Sequence, residues 1–66
     1  MTPNEARAWI LEMRHVPDLI EWIKIARNVH TADIDSRGNV HVGAPQSSWL
    51  SDDALVETVE AILRGV

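Results

Sequence analysis

The fold is decided by residues 32–42, ADIDSRGNVHV, where the sequence changes from a helical to an alternating pattern. Apolar and polar residues alternate over 32–35 and again over 39–42, which is typical of half-buried strands. The residues between them, Ser36-Arg37-Gly38, fit a three-residue hairpin loop with Gly38 in the left-handed conformation. The segment therefore predicts a β-hairpin.

The loop length also fixes the register of the two predicted strands. The facing pairs are Ala32 with Val42, Asp33 with His41, Ile34 with Val40 and Asp35 with Asn39. One face of the hairpin is then apolar and the other is polar. Because a two-stranded hairpin is barely stable alone, we expect its apolar face to pack against helices.

The first of two helices before the hairpin begins at Thr2, which can cap it, with Pro3 at the first helical position. Glu5 stands where a capping box requires an acid, and Pro17 ends the segment. Residues that recur at helical spacing predict one apolar face, made of Ala6, Trp9, Ile10 and Met13, with Val16 close behind.

The second helix is predicted over about residues 17–29, with Pro17 in its first turn and Asp18 placed favourably for the helix dipole. It is the most apolar segment, and Ile20 and Ile25 lie on the flanks of its main face. The main face consists of Leu19, Trp22, Ile23, Ala26 and Val29. A stripe this wide predicts a central helix that packs on two sides.

After the hairpin, residues 43–48 are predicted to form a loop, and Ser51 is predicted to cap a third helix that ends at Gly65. Leu50 and Leu55 have the spacing of a hydrophobic staple across the cap. The residues expected to face the core are Leu55, Val59, Ile62 and Leu63. The sequence thus predicts one small globular α+β domain over residues 1–66, in the order helix, helix, β-hairpin, helix (ααββα).

Composition narrows the function classes. The 66 residues contain no cysteine, so neither a disulfide nor a thiolate zinc site can stabilise so short a chain. Residues 1–30 carry four basic and four acidic side chains, whereas residues 31–66 carry two basic and six acidic ones. The net charge of −4 therefore belongs to the second half, and an acidic surface disfavours a nucleic-acid partner.

The sequence also gives an expectation for location. No apolar run approaches the roughly 20 residues of a membrane span. The first residues lack the basic segment of a signal peptide. We therefore expect a cytoplasmic protein without a membrane partner. Compact proteins of this size are frequent in phages and other mobile elements, although no motif in the chain supports that origin further.

Three surfaces are candidates for binding a protein. The first is a second stripe on helix 1, formed by Ala8, Leu11 and His15, in which Leu11 is exposed if the helix packs on one side only. The second is Trp49, which either folds over the hairpin as a lid or is an exposed anchor, since tryptophan is enriched in binding hot spots. The third is the acidic outer face of helix 3, made of Asp52, Asp53, Glu57 and Glu60.

The strongest candidate for a metal or catalytic site consists of His30, Asp33 and His41. Two imidazoles and a carboxylate can bind zinc, and an aspartate can orient a histidine as a base. The ordinary explanation is a polar pair across two strands on a solvated face. No fourth ligand lies at a typical spacing and no nucleophile is evident, so we expect neither a cofactor nor an enzyme.

The favoured hypothesis is a small interaction or regulatory protein that binds another protein and forms a homodimer. One alternative is a DNA-binding regulator similar to a winged helix, with Arg37 in the wing loop. Its second helix offers only Lys24 and Arg27, whereas a recognition helix presents several polar side chains to the bases. The other alternative is a metal-dependent activity at the hairpin histidines.

Overall fold

The computed structural model describes residues 1–43 and 48–65, and these residues form the α+β fold that the sequence predicts. The elements are α1 (Pro3–Met13), α2 (Leu19–Arg27), β1 (Ala32–Ile34), β2 (Val40–Val42) and α3 (Asp52–Leu63). Within the described residues, no helix is long and apolar enough to cross a membrane. Most of the predicted loop, residues 44–47, lies outside the described part of the chain.

The predicted caps of α1 and α3 are confirmed. The Thr2 hydroxyl accepts a hydrogen bond from the backbone of Glu5, and the Glu5 carboxylate accepts one from the backbone of Thr2 at 2.7 Å. The backbone hydrogen bond from Thr2 holds the pKa of Glu5 below its usual value. At α3, the Ser51 hydroxyl accepts from the backbone N–H of Ala54 at 3.2 Å. Both caps satisfy N–H groups that a helix start leaves free.

Helix α2 is shorter than predicted. It begins at Leu19, so Pro17 precedes the helix and Asp18 is its N-cap residue, without a capping bond from its side chain. The preceding residues form hydrogen-bonded turns instead, in which the N–H of Leu19 donates to the carbonyl of Val16. The helix ends at Arg27 because Asn28 adopts the left-handed conformation, with φ of 56°.

The hairpin has the predicted register, with Asp33 opposite His41. At the turn, the Asp35 carboxylate accepts hydrogen bonds from the backbone N–H groups of Arg37 and Asn39, both at 2.8 Å. Desolvation raises the pKa of Asp35, but these hydrogen bonds and those from the Asn39 side chain and the Gly38 backbone outweigh it and lower the pKa. The turn is therefore held by a charged acceptor, which accepts stronger hydrogen bonds than a neutral one.

Residues 48–50 add a short extended segment to the sheet, which the sequence did not predict. The N–H of Val42 donates to Ser48, and the N–H of Leu50 donates to Val40, both at 2.9 Å. These bonds place Trp49 directly opposite His41. The segment is too short to show an alternating pattern, and only its pairing with β2 identifies it.

The core lies between the three helices and the apolar face of the hairpin. Helix α3 packs against both α1 and α2, whereas α1 and α2 have little contact with each other. Helix α2 packs on two sides as predicted, against α3 and β1, but the central helix is α3, and the flanking Ile25 of α2 is 64% exposed. The buried apolar residues are Ala6, Ile10, Leu19, Ile23, Val40, Leu55 and Val59.

The hairpin turn lies directly on the backbone of α1. A Cβ placed on Gly38 would lie 2.5 Å from the carbonyl oxygen of Arg7, and Gly38 has a φ of +91°. The Arg7 side chain then crosses the same junction. Its guanidinium donates to Asn39 of the turn at 2.8 Å and forms an ion pair with Asp52 at the start of α3. One residue of α1 thus joins the hairpin and α3.

This junction predicts that Gly38→Ala is more harmful than Gly43→Ala. Both positions have positive φ, where a side chain costs about 1–2 kcal/mol. Only at Gly38 would the new methyl group also meet backbone, since no described atom lies within 4 Å of a Cβ on Gly43. We expect a loss of about 1–2 kcal/mol for Gly43→Ala and about 1–3 kcal/mol more for Gly38→Ala. Urea denaturation measures both losses, and equal losses would contradict the close packing.

Candidate protein-binding surfaces

Asp33, His41 and Trp49 form a row across the polar face of the sheet. Asp33 is opposite His41 on β1 and β2, and His41 is opposite Trp49 on the added segment. The last pair is of the type that makes no hydrogen bond between its own backbones, so the side chains come close together. The imidazole and indole rings are in contact, with their planes inclined by 45°.

The three predicted metal ligands do not converge. The Asp33 carboxylate accepts from the backbone N–H of Ile34 at 2.9 Å, and the His41 ring contacts Trp49. His30 lies exposed between α2 and β1. Across residues 1–43 and 48–65, no three side chains of His, Cys, Asp or Glu are grouped to hold a metal ion. The pairing of Asp33 with His41 is a cross-strand polar pair on the open face of the sheet.

Trp49 is fixed by its backbone but half exposed at its side chain. It pairs with β2, and 49% of its surface remains accessible. Its position is therefore neither that of a buried lid nor that of a free loop. It lines a mostly polar depression of about 370 Å³ between the hairpin turn and the start of α3, together with residues that include Arg37 and Ser51.

The predicted stripe on α1 exposes less apolar surface than we expected for a helix that packs on one side only. Ala8 and His15 are exposed, but Leu11 is half-buried. The exposed part of the stripe therefore consists of the Ala8 methyl group and the His15 imidazole. This stripe stays a prediction, with Leu11 as its largest apolar side chain.

The acidic face of α3 is largely paired within the chain. Asp52 forms the ion pair with Arg7 described above. Glu57 forms an ion pair with Arg27 at 3.3 Å, and Glu60 forms one with the amino group of Met1 at 3.4 Å. No ion pair involving Asp53 is found among the described residues. Exposed pairs of this kind contribute only about 0–1 kcal/mol each, but they reduce the uncompensated charge that this face presents.

An apolar groove lies where the three helices meet, and we call it the tryptophan groove. It has a volume of about 370 Å³. Its lining residues are Trp9 of α1, Trp22 of α2, Ile62 and Leu63 of α3, and Gly65. Both tryptophans pack partly on the core, as the sequence predicts, and the rest of each ring is available to the groove.

Leu63 is 56% exposed, so its assignment to the core is wrong. Val59 lies one helical turn earlier on the same side of α3 and is fully buried. The exposure of Leu63 therefore results from its place as the last residue of the helix. Helical periodicity gives the direction of a side chain but not how far the neighbouring helices extend, and for this reason the sequence did not reveal the groove.

Comparison of the chain with protein-family models, with curated proteins and with solved structures finds no match. The surfaces of the chain itself therefore provide the evidence on function. Among them, the tryptophan groove combines two indole rings with an exposed leucine.

A pair of leucine substitutions tests the position of Leu63 outside the core. We expect Leu63→Ala to lower the free energy of unfolding by about 1 kcal/mol or less, because the side chain is more than half exposed. Leu55→Ala removes the same atoms from a site that is 1% exposed, and it should cost about 2–5 kcal/mol or leave the chain unfolded. Circular dichroism during urea denaturation gives both values. A large loss of stability in Leu63→Ala would show that Leu63 belongs to the core.

Proposed function

We propose that this protein is a small binding module that recognises another protein through the tryptophan groove. The observation that carries the proposal is an open apolar groove, lined by Trp9 and Trp22, beside a leucine that is 56% exposed. Tryptophan in a pocket that excludes water is typical of the anchor points of protein interfaces.

The lining of the groove favours a protein over a small polar metabolite. Pockets for small molecules combine apolar walls with a few placed polar groups that orient the ligand. Among the described residues, no charged side chain lines this groove, and the polar groups of the lining side chains are the two indole N–H groups. Apolar side chains of a protein partner suit such a lining.

The distribution of cations supports a protein partner over DNA. Arg7, Lys24 and Arg27 each form an ion pair with an acidic side chain of the chain itself. Lys24 and Arg27 are the two cations that a winged-helix arrangement would offer from α2. A phosphate backbone would have to compete with Glu21 and Glu57 for them.

Variant-dependent capture of a partner tests the proposal. The tagged protein is used to purify binders from cells that naturally produce it, in parallel with Leu63→Asp and Ile25→Asp. Ile25 is also an exposed aliphatic residue on a helix but does not line the groove, and because it lies three residues after Trp22 it tests a charge placed just outside the groove. We expect Leu63→Asp to weaken the captured interaction by at least about tenfold, since it places a charge at a central apolar contact.

The captured protein is then purified and titrated against each variant. Binding to the wild type and to Ile25→Asp, with loss in Leu63→Asp, supports the groove as the binding site. Equal binding to all three proteins would refute it. A Trp49→Ala variant tested in the same series shows whether the polar depression beside Trp49 is used instead. Sedimentation of the wild type shows whether the partner is a second copy of the chain.

A further inference from the structure

The charges beside the tryptophan groove are mainly negative. On α1, Glu5 and Glu12 lie four residues before and three residues after Trp9, the spacings that bring side chains together on one helix face. On α2, Asp18 lies four residues before Trp22, and a helical side chain leans toward the N-terminus of its helix. All three carboxylates belong to exposed residues.

These carboxylates are available to a partner. Neither Glu12 nor Asp18 takes part in an ion pair among the described residues, and Asp18 forms no capping bond. Glu5 accepts a backbone hydrogen bond, which keeps it charged. On the α3 side, Arg64 follows Leu63 in the sequence, and Glu60 is paired with the amino group of Met1. The groove therefore has an apolar floor and three acids along α1 and α2.

We infer that the tryptophan groove binds an amphipathic helix of another protein, one whose polar face is rich in lysine or arginine. This inference rests on the proposed function and specifies the partner. The apolar face of such a helix would lie on Trp9 and Trp22, and its cations would face the acidic side of the groove. Complementary charge of this kind sets the orientation of a partner and speeds its association.

The surroundings of the groove favour a helix over an extended peptide. All the lining side chains belong to helices, and Gly65 follows the end of α3. Within the part of the chain that the structure describes, the groove thus offers no strand edge whose backbone could pair with an extended segment. Recognition then depends on side chains that enter an apolar groove, which a helix supplies at every third and fourth residue.

The same charges disfavour a second copy of this chain as the occupant. A symmetric dimer places identical surfaces against each other, so the acids along α1 and α2 of one copy would meet those of the other. Each chain would bring one Arg64 against the three acids Glu5, Glu12 and Asp18, which leaves an excess of negative charge at such an interface. Like charges across an interface are unfavourable.

A titration with a synthetic helix tests the inference. The probe is an amphipathic Leu/Lys peptide of about 18 residues, roughly 27 Å of helix, and a Leu/Glu peptide of the same pattern is its counterpart. Isothermal titration calorimetry gives the affinities. We expect the Leu/Lys peptide to bind at least about tenfold more tightly than the Leu/Glu peptide, and Leu63→Asp to weaken its binding by about tenfold or more.

Charge reversal distinguishes binding at the groove from attraction by the net charge. We expect Asp18→Lys to weaken binding of the Leu/Lys peptide by about fivefold, and Asp53→Lys to weaken it by less than about twofold. The two sites are matched, because each acid is exposed at the N-terminal end of a helix without an ion pair in the described part of the chain. Glu12→Lys repeats the test on α1, should Asp18→Lys disturb the start of α2.

Four other results would contradict a basic helix as the partner. Equal weakening by Asp18→Lys and Asp53→Lys would show attraction by net charge alone. Tighter binding of the Leu/Glu peptide, still lost in Leu63→Asp, would overturn the basic partner but leave the proposed function intact. A wild-type dimer that dissociates in Leu63→Asp would make a second copy the occupant. If neither peptide binds, the inference fails, while partner capture that depends on Leu63 would still support the proposed function.

Discussion

The close approach of Gly38 to the backbone of Arg7 is the constraint on which the arrangement of this small chain depends. A residue with a Cβ would not fit between the hairpin turn and α1, and the positive φ at Gly38 closes the turn itself. The Arg7 guanidinium then bonds to Asn39 and Asp52, so α1, the turn and the start of α3 are joined at one place. With the hairpin held there, Val40 reaches the core that the helices form.

The tryptophan groove follows from how the helices share that core. Because α1 and α2 both pack on α3 and have little contact with each other, the large side chains of Trp9 and Trp22 are not fully covered. The end of α3 adds Leu63 to the space between them. A chain of 66 residues has few apolar side chains to spare for its surface, since small domains bury a smaller share of their surface than large ones. An open groove with two indole rings is therefore the feature that most needs a functional explanation.

The sequence predicted the features that depend on local chemistry, and it failed where tertiary packing decides. The caps at Thr2 and Ser51 and the hairpin register follow from side chains a few residues apart, and all are confirmed. The early end of α2 at Arg27 depends on the backbone conformation of Asn28, and the exposure of Leu63 depends on where the neighbouring helices stop. The pairing of residues 48–50 with β2 could not be predicted either, because so short a segment shows no alternating pattern. The groove could not be predicted from sequence, because periodicity does not show which helices touch.

The most direct test of this account uses the three tryptophans as separate reporters. In a two-dimensional ¹H–¹⁵N NMR spectrum, each indole N–H gives its own signal, and the Leu/Lys helix is added in steps. Trp9 and Trp22 line the groove, whereas Trp49 lies on the sheet beside His41. We expect the indole signals of Trp9 and Trp22 to shift and saturate together while that of Trp49 stays in place. A shift confined to Trp49, with Trp9 and Trp22 unchanged, would contradict this expectation.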